Sequence, residues 1–147
     1  LHYESFNFKS EVDQEAAIEV EFRFMPKGRL LLVEDDNVII EVLKELLEAE
    51  DYEVNCARNG ADALNFLQSV PELPGLILLD LKMPVMNGFE FRVAQEQDGR
   101  IAGIPIVIMT AAEQIESKKM AIGAKNFIKK PFDFNVVLKA VQRYYVG

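Results

Sequence analysis

The sequence predicts an α/β fold: a parallel sheet of five strands, doubly wound with helices on both faces, behind a β-prone N-terminal extension. Three observations carry that expectation. From Leu30 onward a strand-then-helix pattern repeats five times. Residues 30–33, 76–79 and 106–109 are uninterrupted apolar runs, as strands buried on both faces must be. The segments between strands carry apolar residues at helical spacing, so each helix has one face to bury.

The first 28 residues read differently. Phe6 and Phe8 alternate with polar residues, and Ile18, Val20, Phe22 and Phe24 alternate with Glu19, Glu21 and Arg23. A period of two belongs to a half-buried strand, here a single strand or a hairpin turning through the acidic stretch 11–15. Pro26-Lys27-Gly28 reads as a linker. A hairpin alone is marginal in water, so the extension is expected to pack on a neighbour. Residues 1–28 are thus expected as an extension, from an upstream domain or a linker, and 29–147 as the folded domain.

Within that domain the first strand, 30–33, leads into Glu34-Asp35-Asp36. Asp36 is placed to cap a helix over 37–50 with Ile39, Val42, Leu43, Leu46 and Leu47 on its inner face. Residues 52–57 form a second strand, on which Cys56 is expected as a small buried side chain. Asn59-Gly60 turns into a helix over 61–70 with Ala63, Leu64 and Leu67 inward, and 71–75 breaks it. The third strand, 76–80, ends on Asp80; Pro84 and Asn87-Gly88 then give loop chemistry before a helix over 88–97. Pro105 opens a fourth strand, 106–109, which ends on Thr110. A polar fourth helix over 113–122 is stopped by Gly123. The fifth strand, 126–129, leads to Lys130-Pro131. Asp133 is expected to cap a final helix with Phe134, Val137, Leu138, Val141 and Tyr145 on its inner face.

Composition removes several functions. The formal net charge is −8, with no local basic patch, which argues against a nucleic-acid surface. The single cysteine excludes an internal disulfide and fits a reducing, cytoplasmic compartment. No apolar run approaches the roughly 20 residues of a membrane span, and no signal peptide opens the chain. The only histidine is His2, in the extension, so no Ser/His/Asp triad exists. Zinc-ligand spacings and Gly-rich phosphate loops are likewise missing.

What remains lies at the strand ends. Glu34 and Asp35 follow the first strand, Asp80 closes the third, Thr110 the fourth and Lys130 the fifth. In a parallel sheet all five face one edge, where open α/β sheets bind their ligands. The second strand adds no acid, which fits a position beside the first and away from the centre. A carboxylate closing a buried strand is costly unless something pairs with it or binds it. The plain alternative is that Asp80 only caps the next helix. Three carboxylates in one crevice repel one another, and a hard divalent cation relieves that. Mg²⁺ takes oxygen ligands, accepts one or two carboxylates and leaves positions for phosphate oxygens. Lys130 offers a point charge to a phosphoryl oxygen and Thr110 a hydroxyl. The set is what phosphoryl transfer onto Asp80 requires.

The segments LLLVEDD, LILLDLKMPVMNG, IVIMTAA and FIKKPF together resemble the receiver domain of two-component response regulators, over about residues 29–146. The resemblance implies a flavodoxin-like (βα)5 sheet in strand order 2-1-3-4-5. It implies Asp80 as phosphoacceptor, and Mg²⁺ held by Asp35, Asp80 and the backbone carbonyl of Lys82, with Glu34 acting mainly through metal-bound water. Thr110 corresponds to the switch hydroxyl and Phe127 to the switch aromatic. Lys130 is the phosphoryl-stabilising lysine, and its bond to Pro131 is typically cis in the family. Asn87 stands where many members carry Asp. Lys82 and Ala112 flank the phosphoryl site. The extension is similar to the closing strands of a histidine-kinase ATP-binding domain, although no nucleotide-binding motif accompanies it.

The implied function is a switch rather than an enzyme. Asp80 takes a phosphoryl group from a histidine kinase or histidine phosphotransfer protein. Thr110 and Phe127 respond, and the face of the fourth helix, fifth strand and fifth helix meets a downstream protein or a second copy in a homodimer. No nucleic acid or membrane partner is expected. One alternative is the receiver segment of a hybrid histidine kinase. Another is an aspartyl-phosphate phosphatase of the haloacid-dehalogenase type, which uses similar residues. Its nucleophile follows the first strand, however, with a second Asp two residues on, where this chain has Lys82. A pseudo-receiver that binds without phosphorylation is disfavoured by the intact Asp80, Thr110 and Lys130.

Overall fold

Alternate residues of each central strand serve two different cores, which is why these strands are apolar without interruption. Leu31, Val33, Ile77, Leu79, Ile106 and Ile108 join one cluster, while Leu30, Leu32, Leu76, Leu78, Val107 and Met109 join the other. A strand with both faces covered has no solvent side on which a polar residue would be free of cost.

The computed structural model of the chain describes residues 25–111 and 126–147. The alternating extension through residue 24, Ala112 and the predicted helix over 113–122 lie outside the described residues. The elements are β1 (Gly28–Val33), α1 (Asn37–Ala49), β2 (Tyr52–Ala57), α2 (Gly60–Ser69), β3 (Leu76–Asp80), α3 (Gly88–Glu96), β4 (Ile106–Ala111), β5 (Asn126–Lys130) and α4 (Phe134–Tyr144). All strand pairs are parallel and the order is β2-β1-β3-β4-β5, as the resemblance implied.

The two apolar layers are covered by different helices. α2 and α3 supply Ala63, Leu67 and Phe91 to the first cluster; α1 and α4 supply Leu43, Leu47, Val137 and Val141 to the second. Leu78 is fully buried, and truncating such a side chain to Ala costs about 2–5 kcal/mol. The inner face of α1 is narrower than its periodicity suggests, since Val42 remains 48% exposed.

Local chemistry fixes the helix starts that frame the sheet's carboxyl edge. Asp36 caps α1 by accepting from the amides of Val38 and Ile39 at 2.9 and 3.3 Å. Asn87 caps α3 in a capping box with Glu90, a signal present in the Asn-x-x-Glu spacing but read above only as a turn. Gly88 is required by close approach, because a Cβ there would lie 2.5 Å from the carbonyl oxygen of Asp80. Two expectations are corrected. Asp133 occupies the N-cap position of α4, but its side chain makes no capping bond; its backbone carbonyl accepts from Val136 at 3.1 Å instead. Cys56 is exposed rather than buried. β2 is one of the sheet's two edge strands, with no further strand on its outer side among the described residues.

Candidate functional site

β1 and β3 are hydrogen-bonded neighbours, while β2 lies on the outer side of β1. The chain therefore turns away in opposite directions after β1 and after β3, which opens a crevice at their carboxyl ends. Glu34 follows Val33 directly, and Val33 is in register with Leu79, so Glu34 and Asp80 end adjacent strands side by side. One carboxylate oxygen from each of Glu34, Asp35 and Asp80 lies within 4.8 Å of the others. A neighbouring hollow of about 470 Å³ is lined by Asp35, Leu81, Lys82, Met83, Asn87 and Phe89.

The two inner carboxylates are buried, Glu34 at 1% and Asp80 at 6% exposure. Both have partners, as burial of charge demands. Glu34 Oε1 accepts from the amides of Asp35 and Asp36 at 3.1 and 3.2 Å, and its Oε2 accepts from Lys130 Nζ at 2.8 Å. Asp80 Oδ1 accepts from the amide of Leu81 at 2.9 Å and lies 3.3 Å from Lys130 Nζ. Asp80 is not the cap of the next helix, since Asn87 fills that position.

Electrostatics follow from this packing. Burial pushes the Glu34 carboxyl up from 4.5 to about 7, and the nearby Asp80 charge adds to that, against the opposing bond from Lys130. Burial by itself lowers Lys130. The hydrogen bond and charge of Glu34, together with Asp80, outweigh it and hold the ammonium above the usual lysine value.

The other strand ends complete the rim. Met109 is the register partner of Asp80, so Thr110 stands one residue beyond it, 2% exposed. Lys130 is in register with Ala111, and the Lys130–Pro131 peptide is cis. Phe127 pairs in register with Ile108 and packs, partly buried, against the α2–α3 side core. The loop after Asp80 contains Val85 at φ 67, where Met86 N donates to the Pro84 carbonyl at 2.7 Å. Sequence reasoning missed that turn, because nothing in a Pro-Val-Met string signals positive φ. It also missed Arg58, which reaches from the end of β2 to the loop after β1.

An all-oxygen trio of carboxylates at this spacing suits a hard divalent cation better than a soft one. The sheet edge therefore brings together a buried carboxylate, further acids able to hold such an ion, a hydroxyl and an ammonium.

Residues 30–142 match the family described as the response regulator receiver domain. Protein PilH of Pseudomonas aeruginosa is 30% identical over 122 residues, which cover 82% of this chain and 99% of that protein. The transcriptional regulatory protein CrdR of Helicobacter pylori is 35% identical over 119 residues, covering 80% of this chain and 54% of that protein. The chain thus spans about half the length of that curated relative. Among solved structures, the signal receiver domain of a signal transduction histidine kinase from Syntrophus aciditrophicus superposes with a TM-score of 0.73 at 31% identity, covering 80% of this chain and 89% of that one.

Proposed function

This chain belongs to the response regulator receiver domain family, and on that premise we propose that Asp80 accepts a phosphoryl group from the phosphohistidine of a partner kinase or phosphotransfer protein. The family works in two-component phosphorelay signalling, and its members are signalling switches. The observation that carries the assignment is the buried Asp80 carboxylate, held at one oxygen by Leu81 N and Lys130 at the mouth of an acidic crevice.

In this reading an Asp80 oxygen attacks phosphorus as the phosphorus–nitrogen bond of the phosphohistidine breaks. The imidazole leaves with the electron pair, and an acyl phosphate forms. Lys130 neutralises a phosphoryl oxygen and Thr110 donates its hydroxyl to another. Asp35, Asp80 and the Lys82 carbonyl would hold Mg²⁺. Both oxygens of Glu34 already accept bonds from protein groups, which supports an outer role for it, through water. When bound, Mg²⁺ offsets the negative charge gathered by the carboxylates and the phosphoryl oxygens.

The added charge on Asp80 draws Thr110 toward it, and Phe127, two residues before Thr110's register partner Lys129, changes rotamer. The surface of β5, α4 and the predicted helix over 113–122 then shifts between two states and meets a downstream protein or a second copy. The folded unit of this reading is 29–147, behind the extension 1–28. The likeness to the receiver of a histidine kinase supports a second setting, a receiver segment of a hybrid kinase; the full open reading frame separates the two.

Incubation with acetyl phosphate or phosphoramidate and Mg²⁺ tests the chemistry. Mass spectrometry should find one phosphoryl group, acid-stable and base-labile, absent in Asp80→Asn. Modification that persists in that variant, on Ser, Thr or His, would sink the acyl-phosphate reading.

A further inference from the structure

Asp35 differs from its two acidic neighbours in what holds it. Glu34 and Asp80 are fixed by burial and by Lys130, but Asp35 sits in the loop between β1 and α1. Its backbone is gripped on both sides. Its amide donates to Glu34 Oε1 at 3.1 Å, and its carbonyl accepts from Arg58 Nη2 at 3.4 Å. The same Arg58 nitrogen donates to the side-chain oxygen of Asn37, the first residue of α1. One residue earlier, the Ala57 carbonyl accepts from the amide of Glu34 at 3.0 Å. The end of β2 thus braces the acidic loop from outside, first by backbone and then by a guanidinium.

We propose that Arg58 is a positioning residue that holds Asp35 in place for the divalent cation. The inference rests on the metal site proposed above. Two physical effects of Arg58 have opposite signs, and this makes the proposal decidable. A guanidinium beside an acidic crevice repels a cation, so by charge alone its removal strengthens Mg²⁺ binding. As a brace, its removal frees the Asp35 backbone, and ordering that loop then opposes binding.

Mg²⁺ titrations followed by heteronuclear NMR of the parent, Arg58→Ala, Arg58→Lys and Arg58→Glu decide between the two, with urea midpoints measured without metal. Arg58→Ala should weaken Mg²⁺ binding about three- to fivefold, the scale of an exposed charged contact. Arg58→Glu should weaken it at least as much despite its added negative charge, Arg58→Lys should recover part of the loss, and the metal-free midpoint of Arg58→Ala should match the parent. Tighter binding in the Ala and Glu variants overturns the proposal, because charge then dominates. Equal affinity in all four overturns it as well, as does a weakened affinity matched by a lower metal-free midpoint. If the parent itself shows no Mg²⁺ response at Asp35 and Asp80, the metal reading fails, and this inference fails with it.

Discussion

Lys130 Nζ, at the end of β5, lies 2.8 Å from Oε2 of Glu34, at the end of β1, and 3.3 Å from Oδ1 of Asp80. The lysine expected to serve the phosphoryl group is therefore also the counter-ion of the crevice itself. It meets two of the three carboxylates, and the cluster still holds more negative than positive charge.

Removing one of those charges should stabilise the metal-free protein. Asp80→Asn is expected to raise its stability by roughly 1 kcal/mol, since like charges in a partly desolvated site cost on that order. Most substitutions do the reverse. Lys130→Ala should destabilise the parent, and do so less in the Asp80→Asn background. Urea melts of the four proteins measure this, and added Mg²⁺ should stabilise the parent more than Asp80→Asn. A less stable Asp80→Asn without metal would show that the bonds of Asp80 to Leu81 and Lys130 outweigh the repulsion.

The raised Glu34 value predicts a pH dependence of stability in metal-free buffer. Below its ordinary value of 4.5 the carboxyl is protonated in both folded and unfolded chains. Between 4.5 and about 7 the folded protein keeps a proton that the unfolded chain has shed, so stability falls as pH rises through that window. Above it the loss from this group is complete. Denaturation midpoints from pH 4 to 8 should show the decline, and Glu34→Gln should flatten it. An unchanged slope in that variant would assign the dependence to another group.

Val85 sits at φ 67 and is 83% exposed. A β-branched residue in the left-handed region is strained, and its exposure leaves little packing to compensate. Val85→Asn should raise stability by about 1 kcal/mol, because Asn tolerates that region. A destabilised Asn variant, measured by urea melt, would mean the valine makes a contact worth more than the strain.

Gln95 is fully buried on α3, and its Nε2 donates to the carbonyls of Ile101 and Ile104 at 3.0 and 3.1 Å. Gln95→Leu keeps the burial and removes the donor from both carbonyls. It should cost about 1–3 kcal/mol in thermal or urea unfolding, by the penalty for taking the Gln95 donor from the buried Ile104 carbonyl, whereas the Ile101 carbonyl still accepts from Ile104 N at 3.1 Å. Val93→Ala, at a site 57% exposed on the same helix, should change stability by less than about 0.5 kcal/mol.

The strands were legible in the chain's own pattern, because burial on both faces demands unbroken apolar runs such as Leu76 to Leu79, and so were the polar residues that end them. Parallel pairing then sends Glu34, Asp80, Thr110 and Lys130 to one edge whatever the details of packing. Asn87 was equally legible through its spacing to Glu90. How those groups share their partners was settled by the packing of the folded chain. That Lys130 bonds Glu34 more closely than Asp80 depends on distances set across 96 residues of chain. The brace from Arg58, the two hydrogen bonds of Gln95 to the loop before β4, and the exposure of Cys56 on an edge strand are decided in the same way. Backbone periodicity is local and is written in composition and spacing. A side-chain hydrogen bond between distant segments depends on where folding brings each donor, and no local pattern records that.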